Sequence, residues 1–285
     1  MTDQHPGAMS TPVCARHPDR VSYVRCQRCG LPTCPECQRP APVGIQCVDC
    51  VAAARRALPA QRTPWGTRVR DGRPVVTITL IGLCVVSYVL QLATSGGWTE
   101  QWAFSPAIGR IEPWRFLTTG FLHSTYSVLP FHLLFNMYAL WIVGPFLEQM
   151  LGRWRYTALY LLSAIAGSVG VLLLADPAST DSWVRGVVGA SGAVFGLFGA
   201  ILVVMRRLGR DARQIVVVIV LNVIIGFTVP NIAWQAHFGG LAMGALLALV
   251  YVHAPPGRRR VVTVVATAGA SLALVVLALI KYASV

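Results

Sequence analysis

Gly189-Ala190-Ser191-Gly192 and Ala236-His237-Phe238-Gly239-Gly240 carry both the fold and the chemistry of this chain. Each sets one reactive side chain, a serine or a histidine, beside glycines within a helix-length apolar segment. A polar side chain in hydrocarbon is costly, so such residues mark function by default. Glycines beside them let two helix backbones approach closely. If the two segments share a depth and face each other, they place a nucleophile next to its base inside a membrane.

Composition supports that setting. Of 285 residues, 55% are hydrophobic and only 12% charged, where a soluble domain carries about 25% charged residues. The mean hydropathy is +0.59. The formal net charge of +13 comes from arginines and the single Lys281. Such a balance on its own would fit a nucleic-acid binder, but the arginines cluster between apolar stretches, which is the pattern of a polytopic membrane protein. Residues 1–73 hold no apolar run of the length a signal peptide needs, so an uncleaved N-terminus is expected.

Seven apolar stretches follow, at about 75–94, 129–149, 156–175, 186–205, 214–229, 232–253 and 261–280. Most reach the ~20 residues that cross ~30 Å of hydrocarbon; the fifth is short. With the N-terminus inside, the cytoplasmic segments carry Arg55, Arg56, Arg62, Arg68, Arg70, Arg73, Arg153, Arg155, Arg206, Arg207, Arg210, Arg213 and Arg258 to Arg260. The outer side has only Arg110, Arg115, Arg185 and Lys281. The positive-inside rule therefore predicts a cell-membrane protein with a cytoplasmic N-terminus. The long first outer connection, 95–128, is rich in Trp and Phe, which favours a structure lying in the membrane interface.

Ahead of the spans, seven of the eight cysteines fall in residues 14–50 as Cys14-x2-His17, Cys26-x2-Cys29, Cys34-x2-Cys37 and Cys47-x2-Cys50. Two intervening residues let both members of a pair point at one metal, and eight ligands fill two tetrahedral zinc sites. The order predicts a cross-brace, with pairs one and three on one ion and pairs two and four on the other. The segment resembles a B-box-type zinc finger. Thiolate sites of this kind persist in reducing compartments, which again places the N-terminus in the cytosol. Its basic residues are balanced by Asp19, Glu36 and Asp49, so a protein partner or a purely structural role fits better than nucleic acid. Residues 51–73, with Pro59, Pro64 and six arginines, read as a basic linker.

The orientation brings the polar residues together. His132 and Asn136 stand at i and i+4 near the outer start of the second span, on one helix face. Ser191 lies near the outer start of the fourth span, and His237 near that of the sixth. Glu148 sits 16 residues beyond His132, about 24 Å along a helix, and cannot reach His237. Asp176 and Asp181 lie in an outer loop and remain open as third members. His123 reads as a structural histidine of the outer loop.

These residues resemble the rhomboid family of intramembrane serine proteases. The resemblance rests on Trp114-Arg115, on His132-x3-Asn136, on Glu148 with Gly152 and Arg155, on Gly189-Ala190-Ser191-Gly192, and on Ala236-His237-x-Gly239-Gly240. It implies an all-α polytopic fold in which a six-helix core over 74–253 is followed by a seventh transmembrane helix in 254–285. A zinc-stabilised domain at 14–50 and a disordered segment at 1–13 precede the core. It also implies a Ser191–His237 dyad with no catalytic cofactor, and an oxyanion site from His132, Asn136 and the Ser191 backbone N–H. Gly189, Phe195, Trp114 and Arg115 would be supporting residues; Phe195 stands where some members have tyrosine, and can pack on the His237 ring. The substrates implied are transmembrane proteins of the bilayer, cut near the outer face. The loop at 226–235 and the short fifth span read as moving parts. The alternative on the same residues is an inactive rhomboid-like scaffold with a zinc-finger interaction module.

Overall fold

The computed structural model describes residues 11–57, 62–68, 72–125, 130–229 and 232–285. The disorder expected for 1–13 falls outside the described residues up to residue 10, whereas Val13 already lies in a strand. Pro230 and Asn231 of the 226–235 loop, Tyr126 of the outer connection and parts of the linker also lie outside them. The chain forms two compact units, residues 1–61 and 62–285.

The first unit has little apolar core. Strands β1 (Val13–Cys14) and β2 (His17–Val21) pair antiparallel, as do β3 (Gln38–Pro40) and β4 (Ile45–Cys47). Helix α1 (Val48–Ala57) follows directly on Cys47 and carries Cys50 in its first turn. Residues 51–57, read from sequence as linker, are therefore helical. Cys14, Cys34 and Cys37 form the small buried cluster, with Val48 packed on it.

The second unit is mainly helical. Helix α2 (Val75–Ala93) leads to three short helices of the first long connection: α3 (Gly97–Trp102), α4 (Pro106–Gly109) and α5 (Arg115–Thr118). Then come α6 (Phe131–Leu151), α7 (Arg153–Leu174), the short α8 (Thr180–Trp183), α9 (Ser191–Arg207), α10 (Arg213–Thr228), α11 (Trp234–His253) and α12 (Arg259–Ala283). Among the described residues, five of these are long and apolar enough to span a membrane. Helix α9, with 17 residues, and α10, with 16, are shorter. At 1.5 Å per residue they cover about 25 Å. The fourth span was expected to begin near 186, but its helix starts at Ser191. The residues before it are drawn out of helical geometry: Val187 pairs with Phe104 in an isolated β-bridge, and Gly189 has φ +141°.

Helices α7, α9 and α11 form the centre. Their glycines let backbone meet backbone: a Cβ on Gly240 would collide with the carbonyl of Gly192, and one on Gly244 with that of Gly196. Gly170 faces the Gln235 carbonyl across α7 and α11, with only 2.7 Å for a Cβ. In a bilayer, association of helices depends on such close packing, because lipid is as apolar as leucine. Helix α12 is peripheral, with 11% of its apolar window buried. It is nevertheless tied in at one end, where Lys281 Nζ donates to the Ala175 carbonyl (3.0 Å) and Tyr282 Oη to the Pro106 carbonyl (2.9 Å).

At the opposite, arginine-rich end, Glu148 closes the bundle. Its carboxylate accepts from the backbone N–H groups of Val76 (3.1 Å) and Thr77 (2.9 Å) and from the Thr77 hydroxyl (2.9 Å). It thus satisfies donors that the first turn of α2 leaves open, and the negative charge suits a helix N-terminus. Trp65 is also buried here, with Nε1 donating to the Val252 carbonyl at 3.2 Å. Residues 62–68 therefore pack on the helical unit, although their composition reads as linker.

Candidate functional site

At the end opposite Glu148, the starts of α6, α9 and α11 meet. Ser191 is the first residue of α9 and His237 the fourth of α11. The ring Nε2 of His237 stands 3.0 Å from Ser191 Oγ. Phe195, one turn along α9, stacks flat on the same imidazole, with ring centroids 4.1 Å apart and planes 9° from parallel. The stack fixes the ring plane so that its edge points at the serine. His237 Nδ1 is buried and has no hydrogen-bond partner among the described residues.

The acids left open by sequence are engaged elsewhere. An Asp176 carboxylate oxygen accepts from the Ala178 N–H (3.0 Å), and Asp181 pairs with Arg185 (3.3 Å). Glu148 is held at the other end of the bundle, as described above. Among the described residues, no carboxylate hydrogen-bonds to His237.

His132, in the first turn of α6, completes the cluster. Its Nδ1 accepts from the Ser124 backbone N–H at 3.1 Å. In the neutral ring the proton must then be on Nε2. That edge lies against Gly189: a Cβ there would sit 3.0 Å from His132 Nε2 and 3.4 Å from Ser191 Oγ. Gly189 is thus required twice, by its φ of +141° and by the closeness of the histidine. Asn136 is buried one turn further along, and its Nδ2 donates to the His132 carbonyl at 2.7 Å. One amide hydrogen is committed within the helix and the other is left over. No hydrogen bond joins Asn136 to Ser191 or His237 among the described residues.

The strand-like segment leading into Ser191 is held by residues that carried no signal in the sequence. The Val187 N–H donates to the Phe104 carbonyl (2.7 Å), the Thr119 hydroxyl to the Val187 carbonyl, and the Gly189 N–H to the Thr119 carbonyl (3.1 Å). Phe104 and Thr119 belong to the first long connection, which Arg115 knits together. Its guanidinium bonds Glu112 and the carbonyls of Glu100 and Ala103. Arg115 is buried, whereas its neighbour Trp114 is half exposed. Buried His123 lies edge-on to His132, with ring centroids 5.3 Å apart. Burial pushes its pKa down to about 3, so it stays neutral at physiological pH.

In the first unit, the ligand atoms of Cys14, His17, Cys34 and Cys37 lie within 4.8 Å of one another, as do those of Cys26, Cys29, Cys47 and Cys50. These are the cross-brace pairings expected from sequence. His17 Nδ1 stands 3.9, 3.3 and 3.4 Å from the sulfurs of Cys14, Cys34 and Cys37. The Cys29 and Cys47 sulfurs are 3.8 Å apart, and all eight cysteines are free thiols. A tetrahedron with ~2.3 Å Zn–S and ~2.0 Å Zn–N bonds has edges of about 3.5–3.8 Å. The donor set and its spacing therefore fit zinc. The backbone N–H of Cys34 pulls the Cys14 thiol down to about 6, toward the thiolate that a metal needs.

The sequence profile of the rhomboid domain family matches residues 110–254. The rhomboid protease GluP of Bacillus subtilis (strain 168) is 33% identical over 199 residues, covering 65% of this chain and 36% of that protein. The putative rhomboid protease YdcA of the same strain is 36% identical over 146 residues, 50% of this chain and 68% of the relative. The rhomboid protease GlpG of Yersinia pseudotuberculosis serotype I (strain IP32953) is 28% identical over 200 residues, 67% of this chain and 68% of the relative. The chain thus spans about a third of the length of the first of these proteins and about two thirds of the other two.

Gly189→Ala should destabilise this end of the bundle by about 1–3 kcal/mol, the usual cost of a strained backbone conformation. Thermal unfolding in detergent would measure it, and an unchanged melting temperature would show that neither the positive φ nor the closeness of His132 constrains the position.

Proposed function

This chain belongs to the rhomboid family, and from that premise we propose that it is an intramembrane serine endopeptidase working through a Ser191–His237 dyad. The observation that carries the reading is the 3.0 Å contact between His237 Nε2 and Ser191 Oγ within an apolar helical unit. A nucleophile and base within hydrogen-bond reach are the minimum for acyl transfer.

Ser191 Oγ attacks the scissile carbonyl carbon while its proton passes to His237 Nε2. The carbonyl π electrons move onto oxygen, giving a tetrahedral oxyanion. Collapse breaks the C–N bond, and the imidazolium proton goes to the leaving amine. Water then attacks the acyl-enzyme with His237 again as base, the bond from the carbonyl carbon to Ser191 Oγ breaks, and the imidazolium proton returns to Oγ. The oxyanion needs donors, and loss of one costs roughly 3–4 kcal/mol in comparable hydrolases. His132 Nε2–H, directed toward Gly189 by the Ser124 contact, fits this role, together with the Ser191 backbone N–H. Asn136 contributes through its remaining amide hydrogen and by fixing the first turn of α6. Phe195 holds the imidazole plane where a third carboxylate would otherwise orient the ring. Gly189 leaves the space, and Trp114 and Arg115 support the interfacial connection that buttresses it.

The substrate class that suits such a site is a transmembrane protein. A helix hides its carbonyls in hydrogen bonds, so the cleaved segment should carry helix-weakening residues near the cut. Arginine placement supports an outward-facing Ser191 and a cytoplasmic N-terminus. The purified full-length chain should cleave a single-span model substrate near its outer end. Ser191→Ala and His237→Ala should each lower the rate by at least about 10³-fold, as for other paired catalytic residues. Cleavage by Ser191→Ala at the wild-type rate would overturn the assignment.

The two ligand clusters are proposed to hold structural zinc. The ions would take the place of the apolar core that residues 14–50 lack, and the catalytic step needs no metal. Elemental analysis of the purified protein should give two zinc ions per chain, and Cys34→Ser should give one or fewer. Metal-free protein with intact fold and oxidised cysteines would contradict the proposal.

A further inference from the structure

The arginine-rich end of the helical unit holds a charge imbalance that the proteolytic reading does not use. Arg155, in the first turn of α7, is 9% exposed. Its Nη1 reaches the carbonyls of Trp65 (3.3 Å) and Leu151 (3.4 Å), and its Nε is buried without a partner. Arg259 opens α12. Its Nη1 lies over the next residue of the same turn, Gly66, so that a Cβ there would sit 2.8 Å from it. Its Nε is likewise buried and unpartnered. The two guanidiniums thus flank one turn, Trp65-Gly66, and are close enough to repel each other.

Among the described residues, no carboxylate pairs with either. Of the described acids at this end, Glu148 is occupied by Val76, Thr77 and Arg153, and Asp211 pairs with Arg213. Two long helices also begin here, α7 and α12, and neither N-terminus is capped by a side chain. Both therefore add partial positive charge and open N–H groups at the same place. Buried arginines without a counter-charge are costly, and the arrangement calls for an anion. Trp65 and the half-exposed Trp154 stand beside the pair, and aromatic residues of this kind mark the headgroup depth of a bilayer.

We propose that Arg155 and Arg259 form a binding site for the phosphate of an anionic phospholipid in the leaflet at the arginine-rich end. Guanidinium forks suit phosphate oxygens, and a planar fork with a free Nε can donate from two nitrogens to one phosphate. Partly exposed Arg259 gives the headgroup its approach, and Arg155 receives it from beneath.

The test uses the full-length chain in neutral detergent. Bound lipid is counted by native mass spectrometry, and stability is followed by thermal unfolding, with added phosphatidylglycerol, phosphatidylcholine or inorganic phosphate. Phosphatidylglycerol should remain bound and raise the melting temperature, and phosphatidylcholine should do neither. Arg259→Gln should weaken phosphatidylglycerol binding about tenfold, and Arg155→Gln at least as much. Exposed Arg258→Gln, which removes the same charge one residue away, should leave binding as in wild type. Equal losses in the Arg258 and Arg259 variants would reduce the effect to general surface charge and overturn the site. Stabilisation by inorganic phosphate without lipid would overturn the lipid assignment.

Discussion

The contact of α9 with α11, backbone against backbone, is the constraint on which the rest of the structure depends. Gly192 and Gly196 on one helix meet Gly240 and Gly244 on the other, and no side chain fits between them. In lipid the hydrophobic effect gives helices no reason to associate, so this closeness has to come from shape and van der Waals contact. A Cβ on Gly240 would lie 1.9 Å from the Gly192 carbonyl oxygen, well inside contact distance, so the helices would have to separate. The 3.0 Å separation of Ser191 and His237 is therefore a consequence of the glycine seam one residue beyond the serine. The Ser191–His237 contact and the packing motif are two descriptions of one interface.

The second dependence runs through the interfacial connection between α2 and α6. Phe104 and Thr119 hold the extended residues 187–189, and these set where α9 begins. The same connection provides the Ser124 N–H that fixes the tautomer of neutral His132. A helix starting a turn earlier would bury Ser191 within its own ladder of hydrogen bonds and turn Gly189 away from His132. The shorter fourth helix is thus part of how the site is shaped.

Much of this was legible in the sequence, for reasons that differ by element. Apolar runs show the membrane helices because lipid imposes length and polarity directly. Two-residue spacing marks the cysteine and histidine pairs because neighbouring ligands of this kind converge locally, and the interleaved order of the pairs suggests which pairs share a cluster. Ser191, His237, His132 and Asn136 stood out because polar residues are costly in apolar segments. Other features were hidden by sequence distance. Nothing near Glu148 says that it caps a helix 71 residues earlier, and nothing near Trp65 says that it is buried against Val252. The motif marks Gly189 as a supporting residue, but its positive φ and its closeness to His132 depend on chain geometry that the sequence does not display. The apolar run extends ahead of α9 because hydropathy does not register a strand-like segment of the same apolar residues.

The cysteine-rich unit gathers its cysteines and His17 into two clusters around little apolar core, whereas the helical unit packs glycine against glycine. The central claim concerns the helical unit: Ser191 is made nucleophilic by His237. Reaction of the full-length protein with a fluorophosphonate probe, with the adduct located by mass spectrometry, tests it most directly. The account predicts a single adduct on Ser191 that His237→Ala reduces to background while the fold is retained. Labelling of Ser191 at the same rate in wild type and His237→Ala, or labelling of a different serine, would contradict it.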